Sequence, residues 1–559
     1  MDYPIQLKKS NCKNCYKCIR FCPVKSIKME DHHAIIIQDE CILCGRCYVN
    51  CPQNAKRLRD DLDIAKALIA SGDEVYASIA PSYIANYKVN ITAMEKALKK
   101  LGFAGVEETA IGATIVKKEY EKLVKSRSQK VIISSCCHSI NTLIQKKYPE
   151  ALPYLAKVLS PMQAHGQLLK EQHGGCKTVF IGPCIAKKDE ADKMSGYIDC
   201  TLTFDDLSRW LDESGVEIEN CEPENETRGR ARLFPIRGGI LGSMDLEDDY
   251  TYFAIDGLDD CMNALEDVAS GAISDCFIEM SACDGSCIGG PVMKRDKLYH
   301  VSECITIGKT VDKGLDFSVP EDEDTAKSFI YEGKRVMRPG ALAIKEVLHS
   351  IGKFTPEQEL NCGSCGYPTC RDKAIAVLQG KADMTMCLPY LKEKAESFSD
   401  KVINSSPNGI TVLNDKLQIQ QMNKAAQEIF NIKRVKEIIG EPIVVLTDPT
   451  DYMFAVNNIT SGKAAEIKNK YLSEYGKYVE ETIVYDPEYK IIISIMKDVT
   501  AEETEREKKE EQSKKAVEIT DKVVEKQMRV VQEIASLLGE TTAETKIALT
   551  RLKETLSDE

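Results

Sequence analysis

The sequence predicts a multidomain protein: an α/β core preceded and followed by small cysteine-rich segments, then an α+β domain and C-terminal helices. Three observations carry this expectation. Cysteines come in tight groups near residues 12–51, 136–184, 283–287 and 362–387. Residues 61–345 alternate short apolar strands with amphipathic helices, the rhythm of a parallel sheet with covering helices. Residues 400–500 alternate more briefly, as a small antiparallel sheet does, and run into a long charged helix.

The totals set limits. A chain of 559 residues has room for roughly three to five domains at about 100–200 residues each. Its 43% apolar and 29% charged residues are ordinary for a water-soluble protein. A net charge of −13 argues against a nucleic-acid binder, which carries a basic patch. No stretch reaches the roughly 18 unbroken apolar residues of a membrane span. The opening run MDYPIQLKKSNCKNC lacks the apolar core of a signal peptide. A cytoplasmic protein with neither membrane nor nucleic-acid partner is expected. In that compartment 23 clustered cysteines point to metal rather than to disulfides.

Residues 1–60 hold eight cysteines. Cys12, Cys15, Cys18 and Cys22 precede Pro23, and Cys41, Cys44, Cys47 and Cys51 precede Pro52. Each run reads C-x2-C-x2-C-x3-C-P, a spacing that lets three thiolates wrap three corners of one cubane. The doubled run resembles the bacterial two-cluster ferredoxin. That resemblance implies two 4Fe-4S clusters with crossed fourth ligands: Cys12, Cys15, Cys18 and Cys51 on one, and Cys41, Cys44, Cys47 and Cys22 on the other. Two zinc sites are the competing reading, against which the doubled, proline-ended run argues. The segment is expected to relay single electrons.

Within residues 61–345 the strands include EVYASIAPS, KVIISSCC and KTVFIGPC, and the helices ITAMEKALKKLG and GATIVKKEYEKLVKS. The cysteines lie in loops leaving strands, where α/β proteins place ligands. Ser134, Ser135, Cys136 and Cys137 follow KVII, and Gly182, Pro183, Cys184 and Lys187 follow KTVFI. A third motif runs from Met280 to Cys287 and on to Gly289 and Gly290. From the residues alone, Cys137, Cys184, Cys283 and Cys287 supply four thiolates for a further cubane. Lys187, one helical turn after Cys184, can donate to an anionic ligand of that site.

These motifs are similar to the TSCCP, PCxxKxxE and ACxxGCxxGG signatures of FeFe hydrogenase catalytic domains, in the same order. ASIAPS at Ala77–Ser82, the helix end KKLGF and KKYPEALPYL at Lys146–Leu155 agree. The resemblance covers roughly residues 1–300 and implies an H-cluster. Cys137, Cys184, Cys283 and Cys287 would hold its 4Fe-4S cubane, and Cys287 would bridge to a diiron unit carrying carbonyl, cyanide and a dithiolate amine. Lys187 would hydrogen-bond one cyanide, Pro81 and Ser82 would line the pocket of the other, and Pro183 and Ser281 would border the cofactor. Cys136 would relay protons.

The sequence departs from the family at Gly182 and Ser281, where methionines normally pack against the diiron unit. A roomier, more polar pocket is expected there. His138 replaces a proline and reads as a structural histidine ahead of a proton relay. The family's relay uses two glutamates three residues apart. Glu121 matches one, Lys118 stands at the other, and Ser160 matches the relay serine. A lysine in that chain is expected to slow proton transfer. Cys176, Cys200, Cys221, Cys261, Cys276 and Cys304 show no ligand spacing and read as small buried residues.

In residues 350–395, Cys362, Cys365, Cys370 and Cys387 resemble the small four-cysteine 4Fe-4S domain of corrinoid iron–sulfur proteins, with zinc the alternative. Residues 396–500 resemble a PAS domain. SSPNGITVLNDKLQIQQMNKAAQEIF matches its opening strand pair and helix, and IIISIMKDVTAEE its closing strand and exit. Tyr452 and Tyr471 do not identify a ligand for it. Residues 501–559 form the output segment. Val517, Val524, Val531 and Leu538 recur every seven residues, compatible with a dimeric coiled coil or with a solvated linker helix. Gly539 is expected to stop this helix, with Thr541 or Thr542 capping a last one from Ala543.

The order of parts resembles the sensory group of FeFe hydrogenases. The expected function is dihydrogen or redox sensing by an H-cluster with slow, reversible dihydrogen oxidation and proton reduction. Electrons would pass through 4Fe-4S clusters to the PAS module. A sensor needs two states of differing stability rather than throughput. Expected partners are dihydrogen and protons, a redox protein such as ferredoxin, a phosphatase or kinase reached through the C-terminal helix, and a second copy of the chain. Two readings compete: a ferredoxin-coupled turnover hydrogenase, and an electron-transfer or assembly scaffold without the diiron unit.

Overall fold

Each proline-ended cysteine run closes on a short helix, Lys17–Phe21 and Arg46–Val49. Left-handed residues, Asn14 and Tyr16 in one and Leu43 and Gly45 in the other, reverse the chain between successive cysteines. The strands β1 (Ile5–Leu7), β2 (Ile27–Glu30), β3 (His33–Ile36) and β4 (Lys56–Leu58) form two antiparallel pairs, β1 with β4 and β2 with β3. This computed structural model describes residues 2–556 except 225, 294–299, 322, 335–337 and 459–467. It divides into two units, Met1–Tyr390 and Leu391–Glu559.

The α/β core contains β5 (Val75–Ile79), β6 (Gly105–Glu108), β7 (Val131–Ile133), β8 (Lys177–Gly182), β9 (Cys200–Thr203), β10 (Thr251–Asp256) and β11 (Cys276–Ser281). They make two parallel sheets, in the orders β6-β5-β8-β9 and β10-β11-β7. Runs such as VII in β7 are buried throughout, as strands of a sheet covered on both faces must be. Parallel neighbours need crossovers, which the helices Ile91–Lys100, Ala110–Ser126, Pro161–Gln172 and Leu258–Ser270 supply. Asn90 caps the first of these, accepting from the Ala93 amide at 2.8 Å.

One hydrophobic core lies on the four-stranded sheet around Ile79, Leu98, Phe103 and Trp210. A second joins Ile133, Ile278 and Met280 to Ile19, Cys22, Cys41 and Cys47 of the ferredoxin-like segment and to Tyr367. The cysteine-bearing parts of the first unit therefore share one interior. Helices Ala341–Ser350 and Cys370–Leu378 pack a small core of their own around Leu348, Ile351 and Ala374.

In the second unit β12 (Gly409–Asn414), β13 (Ile419–Met422), β14 (Lys468–Leu472), β15 (Lys477–Asp486) and β16 (Ile491–Asp498) form an antiparallel sheet of order β13-β12-β16-β15-β14. Strand alternation turns Leu413, Ile492 and Met496 inward against Ile419, Phe430 and Tyr452. The hydroxyl of Tyr452 is buried and donates to Glu481 at 2.5 Å.

The helix Thr500–Leu556 runs without a break, so the expected stop at Gly539 does not occur. An exposed glycine costs about 1 kcal/mol relative to alanine in a helix, too little to end a backbone ladder continued on both sides. Thr541 and Thr542 do not cap: their hydroxyls bond back to the Leu537 and Leu538 carbonyls. Val517, Val524, Val531 and Leu538 are exposed on this helix. No described helix is long and apolar enough to cross a membrane.

Candidate active site

The core cysteines sit where strands stop. Ser134 fastens the end of β7 to β11: its amide donates to the Ile278 carbonyl and its hydroxyl accepts from the Met280 amide, both at 3.0 Å. Ser135 donates to the Val158 carbonyl at 2.8 Å, and Cys137 N-caps the helix His138–Lys147. Cys184 follows β8 and leads into the helix Ala186–Lys193. Cys283 and Cys287 flank a left-handed turn at Gly285 and Ser286. A Cβ on Gly290 would stand 2.7 Å from the Pro183 carbonyl, so only glycine lets this loop press on the Cys184 loop.

Cys137, Cys184, Cys283 and Cys287 line one cavity together with Cys44 of the ferredoxin-like segment. A second cavity of about 100 Å³ adjoins it, with Cys137, Cys184, Cys287, Pro183 and Ser281 in the wall of both. Pro81, Ser82, Cys136, Lys187 and Glu279 also line it, among mostly apolar neighbours such as Met162 and Phe234. One water needs roughly 10–15 Å³, so this space takes a group of several atoms. Cys287 faces both cavities, which accounts for its exposed surface.

Two further cavities are each lined by one expected cysteine set: Cys22, Cys41, Cys44 and Cys47, and Cys362, Cys365, Cys370 and Cys387. Cys12 and Cys15 neighbour Cys18, which is buried, while Cys15 is exposed. Cys51 accepts from the Ala55 amide at 3.2 Å.

The donor set suits iron–sulfur centres. Burial, reinforced by the neighbouring thiols, pushes Cys184 up to about 11 and Cys283 and Cys287 higher still. Burial likewise takes Cys44 up to about 12. Such thiols become thiolates only on a cationic metal centre. In the larger cavity the Ser82 hydroxyl is buried without a hydrogen-bond partner among the described residues. It is a donor available to an anionic group.

Lys187 bonds to Glu190 one turn along its own helix and to the Cys136 carbonyl at 3.2 Å. Glu190 also accepts from Lys327 at 2.7 Å and from the Ser160 hydroxyl at 3.2 Å, and His138 Nδ1 lies 3.9 Å away. Burial alone would raise Glu190, but Lys187, Lys327 and His138 hold it far below the usual carboxylate range. Against its own burial, Lys187 is kept protonated by Glu190. His138 Nε2 pairs with Asp189 at 2.8 Å, a structural role.

Cys136, Lys187, Pro81, Ser82, Pro183 and Ser281 meet in one cavity. Glu121 does not join them: its carboxylate accepts the Asp245 amide at 2.8 Å, and Ser160 serves Glu190 instead. The preceding residue, Tyr120, takes the inward place. Its hydroxyl lies 3.2 Å from Cys136 Sγ and 3.1 Å from Ser135 Oγ, and accepts the Ser135 amide at 2.8 Å. Successive helix residues point about 100° apart, so with Tyr120 turned toward Cys136 and Ser135, behind the cavity wall, Glu121 is turned away.

The room expected at Gly182 is filled, because a Cβ there would lie 2.7 Å from the Phe180 ring, two residues back on the same strand face. Ser281 pairs its hydroxyl with Ser286 at 2.7 Å. Glu279, unforeseen, accepts from the amides of Gly238 at 2.9 Å and Leu241 at 3.1 Å, and burial pushes it up to about 7. A lone carboxylate inside the apolar strand CFIEMS was the available signal. Cys221 and Cys304 are only half-buried, unlike the expectation, whereas Cys176, Cys200, Cys261 and Cys276 are buried.

Residues 73–291 match the family described as iron only hydrogenase large subunit, C-terminal domain. Residues 4–52 match a 4Fe-4S dicluster domain, 358–389 an Fe-S cluster family, and 398–470 the PAS fold. The periplasmic Fe hydrogenase large subunit of Nitratidesulfovibrio vulgaris is 27% identical over 367 residues, 52% of this chain and 86% of that one. Iron hydrogenase 1 of Clostridium pasteurianum is 24% identical over 284 residues, 40% of this chain and 49% of that one. Cytosolic iron-sulfur assembly component 3 of Rattus norvegicus is 26% identical over 240 residues, 36% of this chain and 50% of that one. The chain thus spans most of the first relative and about half the length of the other two. Successive segments of one polypeptide match a 4Fe-4S dicluster domain, an iron only hydrogenase large-subunit domain, an Fe-S cluster family and the PAS fold.

Proposed function

We propose that this protein senses dihydrogen, or the redox state that dihydrogen sets, through an H-cluster site of low turnover. One observation carries the reading. The unpartnered Ser82 hydroxyl and the Lys187 ammonium line the same cavity, beside the seat formed by Cys137, Cys184, Cys283 and Cys287. A cubane alone would leave that cavity without a purpose. Two donors beside Cys287 suit a larger group with anionic ligands. When bound, a diiron unit supplies the metal centre at which dihydrogen is cleaved or protons are reduced.

The chain's own residues bind and enclose that group. The four cysteines ligate, Lys187 and Ser82 donate hydrogen bonds, and Pro81 and Phe180 keep water out. Cys136 holds a thiol proton at the cavity wall, since burial pushes it up to about 12. Its hydrogen bonds run to Tyr120 and Ser135 and end on the Val158 carbonyl, with no carboxylate in that chain. Glu279 shares the cavity wall but spends its carboxylate on the Gly238 and Leu241 amides, so in this reading proton exchange is slow, which suits a site that must change state rather than turn over. Electrons leave past Cys44, and the signal reaches the PAS domain and its exit helix. A ferredoxin-like carrier, a phosphatase or kinase, and a second copy of the chain are the partners in this reading, set in the cytoplasm.

The match to the assembly component favours a second reading, a scaffold that holds cubanes without a diiron unit. Ser82 and Lys187 would then have no ligand to serve. Amide hydrogen exchange over residues 391–556 of the matured protein, under dihydrogen and under argon, tests sensing. The expected result is a change of protection in β15, β16 and the helix that follows. Identical patterns under both gases overturn it.

A further inference from the structure

The ligand loop of the four-cysteine segment is pressed onto the helix Lys17–Phe21, which carries Cys18 and ends at Cys22. Gly366 has a φ of +91°, and a Cβ on it would lie 3.0 Å from Ile19 Cβ and 3.1 Å from the Tyr16 carbonyl. Lys25 clamps the two segments. Its Nζ donates to the carbonyls of Ile19 at 3.0 Å, Arg20 at 3.1 Å and Gly366 at 3.1 Å. It also lies 5.9 Å from the centre of the Tyr367 ring. The Met29 amide donates to the Lys381 carbonyl at 3.0 Å, and Lys381 holds Glu40 at 2.5 Å. Tyr367 itself is 3% exposed, and its hydroxyl has no hydrogen-bond partner among the described residues. Besides Lys25, the ionisable groups near it include Cys365, Cys22 and Glu40.

We infer that the electron path forks at the cluster served by Cys22, one arm leading to the Cys12, Cys15, Cys18 and Cys51 cluster and the other across Tyr367 to the Cys362, Cys365, Cys370 and Cys387 cluster. The source of the electrons rests on the function proposed above; the wiring rests on the contacts. Cys44 lines both the cavity of the Cys22 set and that of the core cysteines, so the fork stands next to the gas site. Tyr367, Cys22 and Cys365 belong to one buried core, closed by the Lys25 bond to Gly366 and the packing of Gly366 on Ile19, and a packed interior favours short electron paths.

The two arms have different ends. Cys15 is exposed, so an external carrier can collect there. Cys387 is followed directly by the helix Leu388–Ser405, which leads in sequence to the PAS strands. In the step itself one electron leaves the Cys22-ligated cluster, which is oxidised, and arrives at the four-cysteine cluster, which is reduced. No bond forms or breaks and no proton moves. The electron comes from dihydrogen or from any low-potential one-electron donor. The Tyr367 hydroxyl is a buried donor with no partner among the described residues, and a hydrogen bond from it to a cluster seated there would favour the reduced, more negative state.

The test uses the full chain reconstituted with iron and sulfide only, photoreduced stepwise with a deazaflavin and followed by EPR. Cys362→Ala identifies the four-cysteine signal by deleting it; unchanged iron content and spectrum in this variant overturn the inference. In the wild type that signal should be split or broadened by a neighbouring reduced cluster. The coupling should persist in Cys15→Ala and vanish in Cys44→Ala. Loss in Cys15→Ala with retention in Cys44→Ala, or no coupling in the wild type, overturns the fork. Tyr367→Phe, which keeps the fold, should lower the midpoint potential of this cluster alone, and an unmoved potential contradicts the role given to the hydroxyl. Because the reductant is chemical, these outcomes do not depend on whether the protein splits dihydrogen. Addition of dihydrogen to the matured protein tests that separately.

Discussion

The Tyr120 hydroxyl lies 3.2 Å from the Cys136 thiol and closes the hydrogen-bond chain that would otherwise carry a proton away from it. The chain continues only through Ser135 to the Val158 carbonyl, which cannot take a proton on. Tyr120→Phe therefore leaves the Ser135 amide unpaired and costs about 1–3 kcal/mol of stability, read from denaturant midpoints. Turnover should change by less than about tenfold, whereas loss of a true relay costs roughly a hundredfold or more. A loss of that larger size would show that the phenol moves protons.

Glu190 pairs with Lys187 and Lys327 in the interior. Glu190→Gln strands two buried ammonium groups, and the expected cost at neutral pH is about 3–5 kcal/mol. The folded pKa of Glu190 lies below that of a free glutamate. Its stabilisation is therefore present above the ordinary glutamate range and is lost as pH falls through the folded value. The gap between wild type and variant should narrow on acidification below about pH 4. A gap that stays constant would mean that the carboxylate is not held ionised by its lysines.

Glu279 carries the opposite sign. Burial raises it to about 7, so the folded protein holds this proton more tightly than the unfolded chain does. Its contribution is fully present below the free glutamate pKa of roughly 4.3 and is lost as pH rises through about 7. Glu279→Gln stays neutral throughout. Stability curves of the two proteins should therefore shift in the variant's favour by up to about 3 kcal/mol between roughly pH 5 and pH 8. Parallel curves would place the carboxylate in water.

Ser82 buries a hydroxyl with no partner among the described residues. Before maturation, Ser82→Ala should be neutral or stabilising by up to about 1 kcal/mol, since no hydrogen bond is lost. After maturation the same change should move a cyanide band in the infrared spectrum. A destabilised unmatured protein would show that the hydroxyl has a structural partner.

Gly539 sits inside a continuous, exposed helix. Gly539→Ala should raise helicity and stabilise the segment by about 0.5–1 kcal/mol. A fall in helicity by circular dichroism would restore glycine as a helix stop.

Much of the site was legible because cubane chemistry writes itself into short spacings. The ferredoxin-like runs, Cys362 to Cys387 and the three strand-end motifs all appear as local patterns, and the PAS strands follow from alternation. What escaped were choices made by neighbours distant in sequence. Phe180 fills the space beside Gly182, Tyr120 rather than Glu121 turns inward, and Gly366 packs on Ile19. Lys327, more than a hundred residues away, completes the cluster around Glu190. Gly539 misled because a glycine marks a stop only when the backbone turns left-handed, which no local pattern discloses.

The measurement closest to the central claim is infrared spectroscopy of the anaerobically matured protein under argon, dihydrogen and carbon monoxide. Carbonyl and cyanide bands that shift on exposure to dihydrogen are the predicted result, and would place a gas-responsive diiron unit in the cavity of Ser82, Lys187 and Cys287. Absence of such bands after maturation with a two-iron cofactor would contradict the hydrogenase reading and leave a protein that carries electrons or assembles clusters.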